Sequence, residues 1–223
     1  MIFLYNKDAG KELLKLRGED HKYLIKVRRH KVGDILHLRN ENDSDILYTY
    51  SIKDVTPREL FIELQNSKTK KVVPQKYLHI GWCMIDPKNI EKVLPSLNEI
   101  GISKISFIYC KRSQKNFKPD LKRLRRILKA SNQQCGRSNF MKFTTYDNLK
   151  KFLEDHPDVK VFDFCDTILK EQSDFKDVLI GSEGGFSPEE KELLNQKEVF
   201  RLDTPLVLRS ESAAYAVAAK ILL

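Results

Sequence analysis

The sequence predicts an α/β layer fold with a mostly parallel sheet, entered at its amino end through a small β-barrel. From Lys76 onward, short apolar runs alternate with helical patterns, which is the signature of strands joined by helical crossovers. Before Ser67 the texture differs: β-branched or alternating segments are separated by turn-formers and surround one helix. The chain has 223 residues, 41% hydrophobic and 32% charged, enough for a small domain plus a medium one and too apolar to be disordered. The expected boundary divides residues 1–70 from residues 71–223.

In order along the chain, Ile2–Tyr5 is a short apolar opening, and Glu19–Arg29 places Tyr23, Leu24 and Val27 at helical spacing before the helix-ending turn Lys31-Val32-Gly33-Asp34. Gly33–Arg39, Ile46–Val55 and Glu59–Leu64 read as strands, separated by Asn40–Asp45 and Thr56-Pro57. Ser67–Gln75 is polar, basic and closed by a proline, as a linker would be. Tyr77–Met84 and Ile105–Tyr109 follow as strands. The helix Asn89–Ile100 between them is expected to bend at Pro95, and Leu121–Gln134 is a strongly periodic basic helix. Val159–Phe164 and Val178–Ile180 are short apolar runs, and Pro188–Asn195 and Glu211–Leu223 are the last helices.

Forty basic and 31 acidic residues leave a formal charge of +9, which favours a polyanionic partner because each cation near a phosphate releases condensed counterions. Cys83, Cys110, Cys135 and Cys165 are widely spread with no C-x-x-C pair. They read as reduced, mostly buried thiols, and no metal site is expected. No stretch reaches the ~18 apolar residues needed to span a bilayer, and MIFLYNKDAG carries no signal-peptide pattern. A cytoplasmic protein without a membrane partner is expected. His21, His30, His37, His79 and His156 are scattered, and none sits in a motif suggesting a general base.

Eleven basic residues and one acid, Asp120, lie between Lys111 and Lys142. Lys122, Arg125, Arg126 and Lys129 form a helical stripe opposite Leu121, Leu124 and Leu128, suited to contact with a phosphate backbone. A solvated helix face has the same pattern. Arg28-Arg29, and Lys68, Lys70 and Lys71 in the linker, could extend such a footprint.

Leu179–Glu190 is the most informative segment. An apolar run feeds the turn Gly181-Ser182-Glu183-Gly184-Gly185-Phe186, after which Ser187 is a natural N-cap, Pro188 takes the first helical position and Glu190 completes a capping box. Strand, glycine turn, helix presents backbone amides to a ligand. Neither the P-loop nor the G-x-G-x-x-G pattern matches, and the charge of Glu183 would oppose a phosphate. A phosphate-free nucleoside bearing a sulfonium, such as S-adenosylmethionine, suits the loop; a tight turn needing only glycine's conformational freedom suits it equally. Further on, Arg201–Ala213 leads into a helix with only Lys220 charged, too short to cross a membrane and so buried in the protein or a subunit interface. Arg209 and Glu211 stand at its entrance, where a structural ion pair and a functional pair look alike.

Together these segments resemble the RsmE family of SPOUT methyltransferases. Ile180–Ser187 matches the family's I-G-P-E-G-G-F-S with Ser182 in place of proline, and Leu208–Ala213 matches L-R-x-E-T-A with Ser212 in place of threonine. Asn98–Ile102 resembles T-E-L-G-V, Lys111-Arg112-Ser113 the basic-Arg-Ser after the next strand, and Asn132–Arg137 the x-E-Q-C/S-G-R segment with Gln133 for glutamate. His21–Asp34 looks like the family's PUA-like barrel. Thr204 and Leu206 depart from the glycine and arginine common in the family.

The resemblance implies a SPOUT-type α/β domain with a C-terminal trefoil knot, preceded by a PUA-like RNA-binding barrel. S-adenosylmethionine would be held by Ile180, Gly181, Ser182, Glu183, Gly184, Gly185, Phe186, Leu206, Val207 and Leu208. Arg209 and Glu211 would serve catalysis, and Arg28, Arg29, Arg112, Lys122, Arg125, Arg126, Lys129 and Arg137 would contact RNA. The implied reaction is methylation of uridine N3 in 16S ribosomal RNA of the small subunit by a homodimer. A non-catalytic RNA-binding or ribosome-assembly protein, and a SPOUT enzyme acting on another RNA, are the alternatives.

Overall fold

The computed structural model describes residues 2–114, 118–170 and 174–223; Lys115 of the basic stretch lies outside them. The chain divides into two compact units. One runs through Val73 and takes in Asn132–Asn139; the other comprises Pro74–Ser131 and Phe140–Leu223.

The first unit holds β1 (Leu4–Tyr5), β2 (Leu13–Arg17), β3 (Ile35–Asn40), β4 (Asp43–Val55) and β5 (Glu59–Thr69) in one sheet, ordered β1-β3-β4-β5-β2. Only β1 and β3 run parallel. Register shifts at Thr49/Tyr50 and Ile52/Asp54 in the long β4 add twist and curl the sheet around Leu16, Leu38, Tyr50, Ile52 and Leu60. Arg39 is buried against the Phe3 ring and donates to the carbonyls of Ser44 and Lys70, at 2.6 and 2.7 Å.

Three expectations are corrected here. The segment Ser67–Thr69 is not linker: it pairs with β4 as far as Ile46↔Thr69, because strand pairing satisfies its backbone whatever its side-chain polarity. Strand β2 was not foreseen. The helix expected over Glu19–Arg29 is α1 (Gly18–Lys22) continued as a π-helical turn, Tyr23–Val27, and it closes where Arg29 takes a left-handed φ of 59°. Of its apolar residues only Leu24 is buried, while Tyr23 and Val27 are exposed.

The second unit is a six-stranded parallel sheet, ordered β11-β9-β10-β6-β7-β8: β6 (His79–Cys83), β7 (Lys104–Ile108), β8 (Lys142–Tyr146), β9 (Lys160–Phe162), β10 (Asp177–Ile180) and β11 (Val199–Phe200). All five residues of β6 are buried, as expected of a parallel strand covered on both faces. Helices α2 (Pro87–Glu99), α3 (Leu121–Cys135) and α6 (Ser210–Leu222) belong to the core holding Ile80, Trp82, Ile105 and Ile180. Helices α4 (Leu149–Asp155) and α5 (Pro188–Leu194) join Leu179, Cys83 and Ile108 in the other. Residues alternating along β6 and β10 therefore point to opposite layers. Helix α2 runs unbroken through Pro95.

The cysteines correct a further expectation. Cys83 and Cys110 form a disulfide with Cα atoms 5.7 Å apart, leaving Cys135 and Cys165 as free thiols. Neighbouring strands bring together two residues separated by 27 positions, which spacing in sequence does not reveal. Among the described residues no helix is long and apolar enough to cross a membrane.

Candidate functional site

Strand β10 ends at the glycine turn. The Gly185 amide donates to the Ser182 carbonyl at 2.9 Å, with Gly185 at φ 64°, a conformation that favours glycine. The capping box then starts α5: Ser187 Oγ accepts from the Glu190 amide at 3.3 Å, and Glu190 Oε2 accepts from the Ser187 amide at 2.9 Å. The same carboxylate accepts from the Lys111 amide at 2.7 Å through Oε1. Ser182 Oγ donates to the Arg112 carbonyl at 3.1 Å, and Arg112 Nη1 donates to the Gly184 carbonyl at 2.9 Å. Serine in place of proline thus adds a tie between the turn and the loop after β7. Glu189, at the helix start, is held down to about 2 by its own backbone amide, then by Ser187 and Lys111.

The second loop leaves β11. Thr204 Oγ1 accepts from the Leu206 amide at 3.1 Å and the Thr204 amide donates to the Leu202 carbonyl at 2.9 Å, so threonine stabilises a turn by its hydroxyl. Helix α6 opens with Ser210, whose Oγ donates to the Gly181 carbonyl at 2.5 Å and accepts from Trp82 Nε1 at 2.8 Å. One buried hydroxyl therefore joins the glycine turn, the start of α6 and β6.

Both loops line one cleft. It is concave and partly enclosed, with its mouth open to solvent, as small-molecule sites are. Of the residues expected to hold a cofactor, Ile180–Glu183, Gly185, Phe186 and Leu206–Leu208 line it and Gly184 does not. Phe162–Phe164 at the end of β9, with Arg201 and Leu202 after β11, also line it and were not foreseen. The chain passes from β9 to β10 on one side and returns to β11 on the other. Ligands in open α/β sheets sit at such a reversal, outside the carboxyl ends of the strands; that rule, applied to the apolar run ending at Phe164, was the signal available. The lining is largely apolar, Gly181, Ser182 and Gly185 bring backbone close to it, and Glu183 is its loop carboxylate. These features fit an adenosyl ligand without phosphates.

Arg209 and Glu211 do not line this cleft. They open on a groove shared with Lys92 and Ser96 of α2 and with Tyr215. Among the described residues no ion pair joins them. Glu211 Oε2 is shielded from solvent with no hydrogen-bond partner, a costly state for a carboxylate oxygen.

The basic stripe is exposed at Lys122, Arg125 and Arg126 and half-buried at Lys129. Arg125 lies over the Phe140 ring at 4.1 Å, and Arg123 pairs with Glu91 at 2.6 Å. Arg112 is committed to the glycine turn. In the other unit Arg28 and Arg29 are exposed. Arg137, expected at an RNA surface, is instead buried, with its Nε donating to Asn139 Oδ1 at 2.8 Å. Burial holds its guanidinium down to about 10. Its segment, Asn132–Asn139, belongs to the first unit.

A parallel α/β sheet with a cleft at its carboxyl edge and two backbone-rich loops defines a ligand-binding α/β domain. The model of the RNA methyltransferase domain family matches residues 73–222. A ribosomal RNA small subunit methyltransferase E from Helicobacter pylori is 39% identical over 222 residues, covering 98% of each chain. Among solved structures, a methyltransferase from Legionella pneumophila in complex with SAM superposes with a TM-score of 0.77 at 22% identity, covering 98% of this chain and 95% of that one. A ribosomal RNA small subunit methyltransferase E from Neisseria gonorrhoeae, bound to S-adenosyl methionine, gives 0.76 at 16% identity with the same coverage. The chain belongs to the RNA methyltransferase family, among its ribosomal RNA small subunit methyltransferase E members.

Proposed function

We propose that the chain transfers a methyl group from S-adenosylmethionine to N3 of a uridine in 16S ribosomal RNA of the small subunit, in the cytoplasm. The observation that carries this reading is the convergence of the glycine turn and the loop before α6 on one cleft.

When bound, the cofactor supplies a methyl activated by its sulfonium, so no metal is needed for the chemistry. Backbone groups of Gly181–Phe186 and Leu206–Leu208 would hold the adenosyl part, with Gly184 acting through its tie to Arg112. N3 lies on the pairing edge, so the uridine is taken unpaired or flipped. Arg209 stabilises the developing uracil anion or anchors a phosphate, and Glu211 receives the N3 proton; its unpartnered Oε2 supports a role as acceptor. Lys122, Arg125, Arg126 and Lys129, with Arg28 and Arg29, bind the RNA backbone from a PUA-like barrel and a knotted catalytic domain. The chain works as a homodimer. Arg209 and Glu211 line a groove other than the cofactor cleft of their own chain, beside the exposed Tyr215, which supports a site completed by a second copy.

The test incubates the protein and labelled S-adenosylmethionine with small subunits lacking the modification, and mass spectrometry locates the label. N3-methyluridine in 16S RNA is expected. Label in another RNA would shift the substrate, and no cofactor binding by calorimetry would leave only an RNA binder. Arg209→Ala is expected to lower methyl transfer ~100-fold or more while leaving cofactor affinity nearly unchanged.

A further inference from the structure

At the amino edge of the parallel sheet, opposite the cofactor cleft, His79 of β6, Asp177 of β10 and His156 at the end of α4 converge. His79 Nδ1 lies 2.6 Å and His156 Nδ1 3.1 Å from Asp177 Oδ1, and the three donor atoms all fall within 4.8 Å of one another. We propose that this cluster is a binding site for a divalent transition metal of the zinc class, with water as the fourth ligand.

The donor set is the first argument. Two imidazoles and a carboxylate are three-ligand chemistry suited to zinc and its neighbours rather than to magnesium or calcium. With metal–ligand bonds of ~2.0–2.2 Å in tetrahedral geometry, donor atoms stand about 3.3 Å apart. The His156–Asp177 spacing already approaches that value, and Asp177 must draw back from His79 by about 0.7 Å. Asp177 is the first residue of β10, and its side chain is 28% exposed.

The outer shell is the second argument. A ligating histidine needs its other ring nitrogen tied, which fixes the tautomer. Both are tied here. His79 Nε2 meets Ser106 Oγ at 2.7 Å, and that hydroxyl meets Thr144 Oγ1 at 2.5 Å. His156 Nε2 lies 3.4 Å from the Tyr146 hydroxyl, which donates to Asp155 Oδ2 at 2.9 Å. Phe152 stacks on His156 at 4.7 Å and meets His79 edge-on at 5.9 Å, giving an apolar wall. Its ring lies over Gly81, where an added Cβ would come within 2.3 Å. His79 is fully buried, whereas the side chains of His156 and Asp177 are 16% and 28% exposed, which supplies an entry path. Lys104, paired in register with His79, opposes a cation, and Asp177 and Asp155 offset it.

The test titrates Zn²⁺ into tag-free, chelator-treated protein carrying Cys135→Ser and Cys165→Ser, against a competing chromophoric chelator, with Co²⁺ as a spectroscopic probe. One Zn²⁺ per chain, visible tetrahedral Co²⁺ absorption and a rise in Tm are expected. His156→Gln and Asp177→Asn should each weaken binding by at least ~100-fold, and Tyr146→Phe by ~10-fold. His156 and Asp177 are partly exposed, so these variants avoid emptying the core at His79, and circular dichroism checks that they fold. Absence of one-to-one binding, or equal binding in the folded His156→Gln and Asp177→Asn proteins, would overturn the proposal and leave a hydrogen-bonded triad. Cofactor binding at the opposite edge should be retained in all of these proteins, so the outcome is separable from the methyltransferase reading.

Discussion

Ser210→Ala is the most informative perturbation of the cofactor cleft. Its hydroxyl gives its proton to Gly181 and receives that of Trp82 Nε1. Alanine strands both partners: the indole N–H belongs to the fully buried Trp82, and the carbonyl is that of the half-buried Gly181. A buried donor or acceptor left unsatisfied costs ~1–3 kcal/mol. The carbonyl can be partly relieved by water from the cleft, so the expected loss is ~2–4 kcal/mol in total. Trp82 is the sole tryptophan of the chain, and its fluorescence in urea reports unfolding of the unit that contains the cleft. Cofactor affinity should fall as well, because the Gly181 peptide loses its anchor. Combining Ser210→Ala with Trp82→Phe removes the stranded donor, so the double variant, followed by circular dichroism, should lose at least ~1 kcal/mol less than the sum of the single ones. A loss below ~0.5 kcal/mol for Ser210→Ala, typical of an uninvolved surface position, would refute the argument that this hydroxyl holds the two loops together.

Other consequences follow from packing, protonation and charge. Gly81→Ala would drive a methyl into the Phe152 ring, where the built Cβ lies 2.3 Å from Cζ; overpacking of ~1–3 kcal/mol should lower Tm in a thermal scan, and Phe152→Leu should restore part of it. The folded-state pKa values of His79 and His156 are depressed, chiefly by burial. The unfolded chain therefore takes up protons first as pH falls through about 6.5, and stability present above that pH is lost below it. Asp177 is also depressed, by its hydrogen bond from His79, and its contribution disappears as pH falls below about 4. Urea midpoints in the presence of chelator should be flat above neutrality and decline from pH 6.5 downward, less steeply in His156→Gln. Lys122→Ala with Arg126→Ala should weaken RNA binding at every sequence tested and reduce the slope of log affinity against log salt by ~1–2; an unchanged slope would mark the stripe as a solvated face.

What the sequence determined by itself is what local interactions decide. The strand, glycine turn and capped helix over Asp177–Leu194 are legible because Ser187, Pro188 and Glu190 satisfy one another within a single turn. The same holds for α3, where Leu124 and Leu128 recur on the buried side and the cations on the other, and for α6, whose apolar surface allows little but burial. The tertiary structure alone decided what depends on partners distant in the chain. Strands β2, β8 and β11 are short or carry exposed positions, and their pairing comes from neighbours rather than from their own periodicity. Ser67–Thr69 is strand because β4 reaches it, and Arg137 is buried in a segment, Asn132–Asn139, that belongs to the first unit. The Cys83–Cys110 pair, the separation of Arg209 and Glu211 from the cofactor cleft, and the meeting of His79, His156 and Asp177 all arise the same way. A parallel sheet sets side by side residues that are far apart in sequence, and no local pattern encodes which of them will touch.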